Sequence, residues 1–409
     1  MNVLEENHFT YQPARYDLEP TVPLPDEALI GIAGEFVRET LPYTESDPTA
    51  LLAHYLGYAG AMIGRLRWTV ADGNNHHANV WFALVGKSSK GRKGTAKARV
   101  SQITQLTNPT FEQHNVASGL STGEGLIYSV RDPFGVEGSK AYDEGVKDKR
   151  LLVIEEEFSA VFKRMKGTHS TNSLSQIMRN AWDGRSLRTL TRNSPLTATD
   201  PHISIIGHGV LNEITDELDY SAAYNGLANR YIWLNSSRSK YLPEDIPGPD
   251  NKQDMANDLQ HKVERAHATP GEMSFDSGAR VLWKECYMEL SAGRDGFVGS
   301  VLGRAEAQVK RLSLLYAILD GSRDAINSKH LTAALALWQC SQESVERFWG
   351  TNGNDPQDQT ASKVLNVIDS APDGITRTVL NKGLGGHTKS KEITRAIEEL
   401  SDENLITVS

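Results

Sequence analysis

The chain has 409 residues, 39% of them hydrophobic and 23% charged, which is more than one core usually organises and ample for packed structure. A net charge of −9 excludes a surface coated all over by nucleic acid, although a local basic channel fits within that average. No run of eighteen apolar residues occurs, the opening MNVLEENHFTYQP has no basic region followed by an apolar core, and Cys286 and Cys340 lack pairing or metal-ligand spacing; the expectation is a cytoplasmic protein that enters no membrane and keeps both thiols buried.

Along the chain, a proline-rich opening to about residue 25 precedes two apolar-periodic helices, Asp26 to about Leu41 and Asp47 to Arg65. Asp47 followed by Pro48 supplies an N-cap and a first-turn proline for the second, and residues 1–75 read as an N-terminal helical module. NVWFALV at 79–85, a continuous apolar run ending in Gly86, reads as a strand buried on both faces of a parallel sheet. LLVI at 151–154, ISII at 203–206 and YIWL at 231–234 follow at helix-length intervals, which predicts an α/β core over 76–245. Past Pro243, a proline- and aspartate-rich stretch leads into helical periodicity from about Asn257 to Trp349, a helical domain over 246–350. TNGNDPQDQT at 351–360 reads as a linker. Residues 361–409 read as helix, short strand, helix, helix, strand, the order of a small winged helix cut short at LITVS.

The segment VWFALVGKSSKGRKGTAKARV puts Gly86 directly after a strand and a helix after Thr95. Glycines let backbone N–H groups turn toward an anion, the helix N-terminus adds its dipole, a lysine reaches the outer phosphates, and a hydroxyl holds magnesium. That chemistry predicts a P-loop for ATP and Mg2+ built from Gly86, Ser88, Ser89, Gly91, Arg92, Lys93, Gly94 and Thr95, with Lys93 on the phosphates and Thr95 on the metal. The spacing departs from GxxxxGK[ST]. Counted from Gly86, the lysine position falls on Arg92 and the hydroxyl position on Lys93, so the loop is a longer variant ending Lys-Gly-Thr. A basic turn on a solvated face is the plainer alternative.

LLVIEEEF at 151–158 is an apolar strand that delivers carboxylates at its C-terminal end. Glu155 is expected in the metal's water shell and Glu156 as the base that orients an attacking water; the frame can slip by one, to Glu156 and Glu157. Glu124, in SGLSTGEGLI, is a rival base or simply a residue in the first turn of a helix. His208, just past ISII, fits a γ-phosphate sensor or a satisfied structural histidine. Arg230, in GLANRYIWL, fits a finger reaching a neighbouring subunit's nucleotide, or a structural pair with a carboxylate.

Between Lys163 and Thr199 stand Lys163, Arg164, Lys166, Arg179, Arg185, Arg188 and Arg192 against one acid, Asp183. Such a run is a solvated face or a sequence-tolerant contact to DNA phosphates. In the C-terminal module, Lys389, Lys391 and Arg395 would project from a recognition helix, with protein docking as the alternative.

Taken in order, SGLSTGEGLIYSVRDP, KRLLVIEEEF, AWDGRSLRTLTRNSP, HISIIGHG, GLANRYIW and GRAEAQVKRLSLLYAILDGS resemble an uncharacterised family of helicase-like P-loop ATPases of bacterial plasmids and prophages, which accompany primase-polymerases. The resemblance covers about 30–350. It implies a RecA-like or AAA+ core and, by analogy, a DNA helicase or translocase acting on single- or double-stranded DNA as a ring oligomer, a hexamer above all, beside a primase-polymerase partner. A nucleotide-switched DNA- or protein-binding ATPase in regulation or anti-phage defence is the second reading.

Overall fold

A computed structural model describes residues 18, 20–71, 73–140, 142–166, 173–189, 196–218, 225–244, 246–350, 356–369, 371, 374–385, 388–402 and 406–407. In chain order its strands begin with β1 (Arg67–Ala71) and β2 (Asn74–His77), an antiparallel hairpin. β3 (Trp81–Val85), β4 (Val116–Ala117) and β5 (Arg150–Glu155) follow, then the short antiparallel pair β6 (Leu187–Arg188) and β7 (Thr197–Ala198), then β8 (His202–Gly209) and β9 (Ile232–Asn235), with three two-residue strands, Gly271–Glu272, Ser274–Phe275 and Ala325–Ile326, in the helical part after them. Five of them form one all-parallel sheet in the order β4-β5-β8-β3-β9. Every residue of β3 and β8 is buried, because helices cover both faces; that is why these strands read as unbroken apolar runs. Sealing side chains such as Phe82, Leu84 and Ile205 from water contributes roughly 1.5–3 kcal/mol each.

Side chains alternate along β8, so its neighbours show which helix lies on which face. On one face, Ile206 and His208 meet helix Pro48–Ile63, whose start is capped by Asp47 accepting from Thr49 N at 2.8 Å. That helix lies close to the sheet: a Cβ on Gly60 would sit 2.2 Å from Ala78 O. Helix Lys93–Thr107 joins it on the same face through a 2.8 Å Tyr58–Ser101 hydrogen bond. On the other face, a Cβ on Gly207 would meet Phe158 of helix Phe158–Lys166, and one on Gly209 would meet Ile214 of helix Leu211–Glu217. Aromatic rings fill that side, with Phe158 on Phe162 at 4.8 Å and Trp233 on Trp349 at 5.1 Å. The chain therefore leaves β3 toward one face and the adjacent β8 toward the other. A crevice opens between their C-terminal ends, the place where open α/β sheets bind ligands.

One continuous hydrophobic core runs from Val22 to Trp349. The boundaries expected at 75/76 and 245/246 fall inside it, because helices Pro48–Ile63 and Ser328–Trp349 pack on the sheet and helix Ala305–Asp320 packs on Ser328–Trp349 and on the β1–β2 hairpin. The helix expected from Asp26 begins as a 3-10 turn, Asp26–Ala28, before helix Gly31–Thr40. A second, small core joins Ala361, Val364, Leu380, Ile393, Ala396 and Leu400. Its helices are Pro356–Asp369, Arg377–Gly383 and Ser390–Asp402; the first starts within the stretch read as linker, with proline at its first position, and no strand accompanies them among the described residues. Among the described residues the module is three helices, and of the closing strand expected at LITVS only 406–407 are described. Cys340 is buried as expected, whereas Cys286 is only half-buried. Among the described residues no helix is long and apolar enough to cross a membrane.

Candidate functional site

A cleft of about 700 Å³ occupies the crevice, walled by the loop after β3, the end of β8 and the residues that follow β5. Gly86 is required where the loop begins: a Cβ there would lie 1.9 Å from Ser236 O. Ser89 and Arg92 both take left-handed backbone conformations, at φ 55° and 50°, which non-glycine residues adopt at a cost of about 1–3 kcal/mol. Helix Lys93–Thr107 then starts with no side-chain cap and no acid in its first turn. It begins instead with Lys93 and, a turn later, Lys97. Cations at a helix N-terminus oppose the dipole, and an anion in the cleft would relieve both. A Cβ on Gly94 would meet nothing within 4 Å, so the helix start is open.

Lys93 Nζ lies inside the loop, donating to Gly86 O at 2.9 Å and Lys87 O at 3.3 Å. Burial lowers its pKa to about 8, partly countered by Glu213. Arg92 also lines the cleft, but its guanidinium is held by Glu45 at 2.6 Å, a carboxylate that Arg238 approaches at 3.6 Å. Ser88, Ser89, Gly94 and Thr95 face the cleft as well, while Gly91 backs it, its carbonyl accepting from Ser236 Oγ at 3.1 Å.

The three glutamates part company. Glu155 still belongs to β5, is 6% exposed, and accepts from Leu120 N at 2.5 Å, so it lies outside the cleft and the metal-shell position expected of it is not where it sits. Glu156 and Glu157 line the cleft, the slipped frame, with Glu156 Oε1 2.8 Å from Lys97 Nζ. Among the described residues no three His, Cys, Asp or Glu side chains converge as a metal site by themselves. Glu124 is exposed in the first turn of helix Gly123–Tyr128, capped by Thr122, away from the cleft.

His208 reaches the cleft wall from β8, and its Nε2 lies 2.9 Å from Nε2 of His54. His54 Nδ1 is 2.7 Å from Ala50 O, which can only accept; His54 therefore donates from Nδ1 and accepts at Nε2. His208 must donate from Nε2, and its Nδ1 is left without a proton. Burial holds His54 down to about 4 and His208 well below its usual range. His76, His77 and His202 are lowered for the same first reason. A histidine kept neutral by folding but protonated when unfolded supports the fold fully above pH 6.5 and progressively less as pH falls toward its folded value. Thermal stability is therefore expected to drop between pH 6.5 and 5, by up to about 1.4 kcal/mol per pH unit for each histidine. Asp47, raised to about 6 by burial, acts in the opposite sense and offsets one of them. A melting series across this range that stays flat would contradict the buried neutral network.

Arg230 is not placed as a finger. It is 4% exposed, bonded to both oxygens of Asp183 at 3.0 and 3.1 Å and to Arg179 O at 3.3 Å, and its guanidinium lies 5.4 Å from the Trp182 ring. This is the structural pair with a carboxylate that the sequence also allowed. Of the basic run, Lys163, Arg185 and Arg188 are exposed on separate elements, and Arg192 lies outside the described residues. Lys389, just before helix Ser390–Asp402, and Lys391 and Arg395 on that helix are exposed, with Lys389 3.7 Å from Glu392.

Sequence reasoning missed Glu45, Lys97, His54 and Glu213. His54 alone carried a signal, as a polar residue inside the wholly apolar stretch ALLAHYLGYAGAMI. Comparison with protein-family models returns no match, and comparison with curated proteins returns none either.

Proposed function

We propose that the chain is a magnesium-dependent ATPase with a P-loop core of the RecA-like or AAA+ kind, working as a nucleic-acid helicase or translocase. The observation that carries this is Lys93: its ammonium sits inside a strained, glycine-bounded loop, bonded to carbonyls, at an uncapped helix N-terminus in the sheet crevice. Phosphate oxygens are better partners for it than Gly86 O and Lys87 O. Backbone N–H groups of residues 93–95 would bind the phosphates, and the Thr95 hydroxyl would hold Mg2+, whose contribution is to neutralise charge on the phosphates. Glu156 and Glu157, rather than Glu155, share the work of placing the metal's water shell and orienting the attacking water. His208 Nδ1, unprotonated, accepts a hydrogen bond and so suits that water better than a phosphate oxygen. The resemblance to plasmid and prophage ATPases supports nucleic acid as the partner.

Arg230, spent on Asp183 of its own chain, lends a ring no support, so a ring oligomer, a hexamer above all, rests on the resemblance alone. The second reading, a nucleotide-switched binding protein, is favoured by the Glu156–Lys97 ion pair, which occupies a carboxylate that turnover needs. Phosphate release with and without single-stranded DNA separates the two. Stimulated turnover is expected; slow turnover indifferent to DNA, with stable ATP binding, would hand the case to the switch.

A further inference from the structure

At the other end of the sheet lies a second cleft, of about 770 Å³, between the β1–β2 hairpin, the turn Trp182–Arg185, Asn229 and helix Ala305–Asp320. His76 and His77 precede β3 and Asn229 precedes β9, so this cleft sits at the N-terminal ends of strands whose C-terminal ends hold the first. The five residues of β3 put about 16 Å of sheet between them.

Arginine dominates its chemistry. Trp182, fully buried, carries three guanidinium groups on its ring, those of Arg311, Arg304 and Arg230, at 3.6, 5.1 and 5.4 Å from the centroid. Asp183 serves Arg230 at 3.0 Å and both Arg185 and Arg304 at 3.9 Å. Arg311 finds neutral acceptors: Trp182 O at 2.7 Å, Asn79 Oδ1 at 2.8 Å, Asn79 O at 3.1 Å and His76 Nδ1 at 3.2 Å. Glu306, the other acid on the wall, accepts from Ser291 Oγ at 2.7 Å. The wall thus carries Arg65, Arg185, Arg304 and Arg311 against Asp183 and Glu306, with Arg230 buried behind it, in a protein whose net charge is −9. Burial, countered in part by Asp183 and reinforced by the neighbouring arginines, lowers Arg311 to about 9 and Arg230 to about 10. Such a surplus in a partly desolvated recess lowers the energy of an anion placed there.

Two features say which anion. Arg185 is 69% exposed at the mouth while Arg304 and Arg311 line the recess behind it, so a chain of phosphates meets more of these cations than one phosphate does. A recess of this volume is roughly 9 Å across, too narrow to take in a duplex, which is wider than its own ~12 Å major groove. We propose that this cleft binds the phosphodiester backbone of single-stranded nucleic acid, through charge and without regard to sequence. The identification of the polyanion rests on the nucleic-acid part of the function proposed above; the anion site itself does not.

The test is anisotropy of a labelled oligo(dT) with the full chain, without nucleotide, over a series of salt concentrations. Wild type should bind with affinity that falls as salt rises. Arg185→Gln should lower the salt slope by about one, and Arg185→Gln with Arg304→Gln should lower it by about two and weaken binding at least ~10-fold. Melting curves check the fold, and Arg185→Gln alone, at an exposed position, keeps the test valid if the double variant is unstable. Undetectable binding by wild type, or binding unchanged by both variants, would overturn the proposal. So would competition by inorganic phosphate at the concentration of oligonucleotide phosphate, which marks a free-phosphate site, or equal binding of poly-glutamate, which marks an acidic protein partner. Because no nucleotide is present, absence of ATP turnover would sink the ATPase reading and leave this result standing.

Discussion

Replacing Lys93 with alanine is expected to weaken ATP binding roughly 10²-fold and to abolish turnover, the scale set by removing one partner of a desolvated charge pair. Titration calorimetry reads the affinity directly. Arg92→Ala should leave it within a few-fold, because that guanidinium is already committed to Glu45 at 2.6 Å; its cost should fall on stability. The opposite pattern, with Arg92 essential and Lys93 dispensable, would restore the standard spacing and undo the longer loop. A pH dependence belongs to the same residue. Burial brings free Lys93 to about 8, and an anion raises it again, so affinity is complete below pH 8 and declines as pH rises through that value, up to tenfold per unit. In Lys93→Ala the decline should vanish.

What the sequence shows of this fold follows the strength of local signals. β3, β5, β8 and β9 are legible because strands buried on both faces need unbroken apolar runs. β4 has two residues and β2 reads NNHH, so neither has a pattern of its own; both exist because a neighbouring strand offers hydrogen bonds. The strand order is invisible for the same reason, being set by which helix covers which face. Within the site, the loop could be placed because glycines, lysine and hydroxyl lie together in sequence. The choice among Glu155, Glu156 and Glu157 could not. It turns on where β5 stops pairing with β8, at Glu155 opposite Gly207, and on Leu120 N lying 2.5 Å from that carboxylate. Arg230 misled because its partner, Asp183, is 47 residues away in sequence and inside the same core.

Glu156→Gln carries the other large effect: ATP binding within a few-fold of wild type and hydrolysis slowed by roughly 10² or more, as for loss of a positioned base. The amide keeps the shape of the side chain, and its oxygen can still accept from Lys97 Nζ, 2.8 Å away. It loses the charge and the second acceptor that a water or a metal-bound water requires. Glu157→Gln, on the same wall, should slow turnover in the same direction, whereas Glu124→Gln, exposed outside the cleft, should not. Glu155 provides the decisive contrast. In Glu155→Gln the amide oxygen still accepts from Leu120 N, so fold and turnover should both persist, while Glu155→Leu leaves that N–H without its partner and should cost about 1–3 kcal/mol of stability. Phosphate release and melting temperature, measured on the same preparations, separate the outcomes. If Glu155→Gln kept its melting temperature and lost turnover while Glu156→Gln and Glu157→Gln hydrolysed ATP normally, the cleft carboxylates would be bystanders and Glu155 would have to leave Leu120 when nucleotide binds.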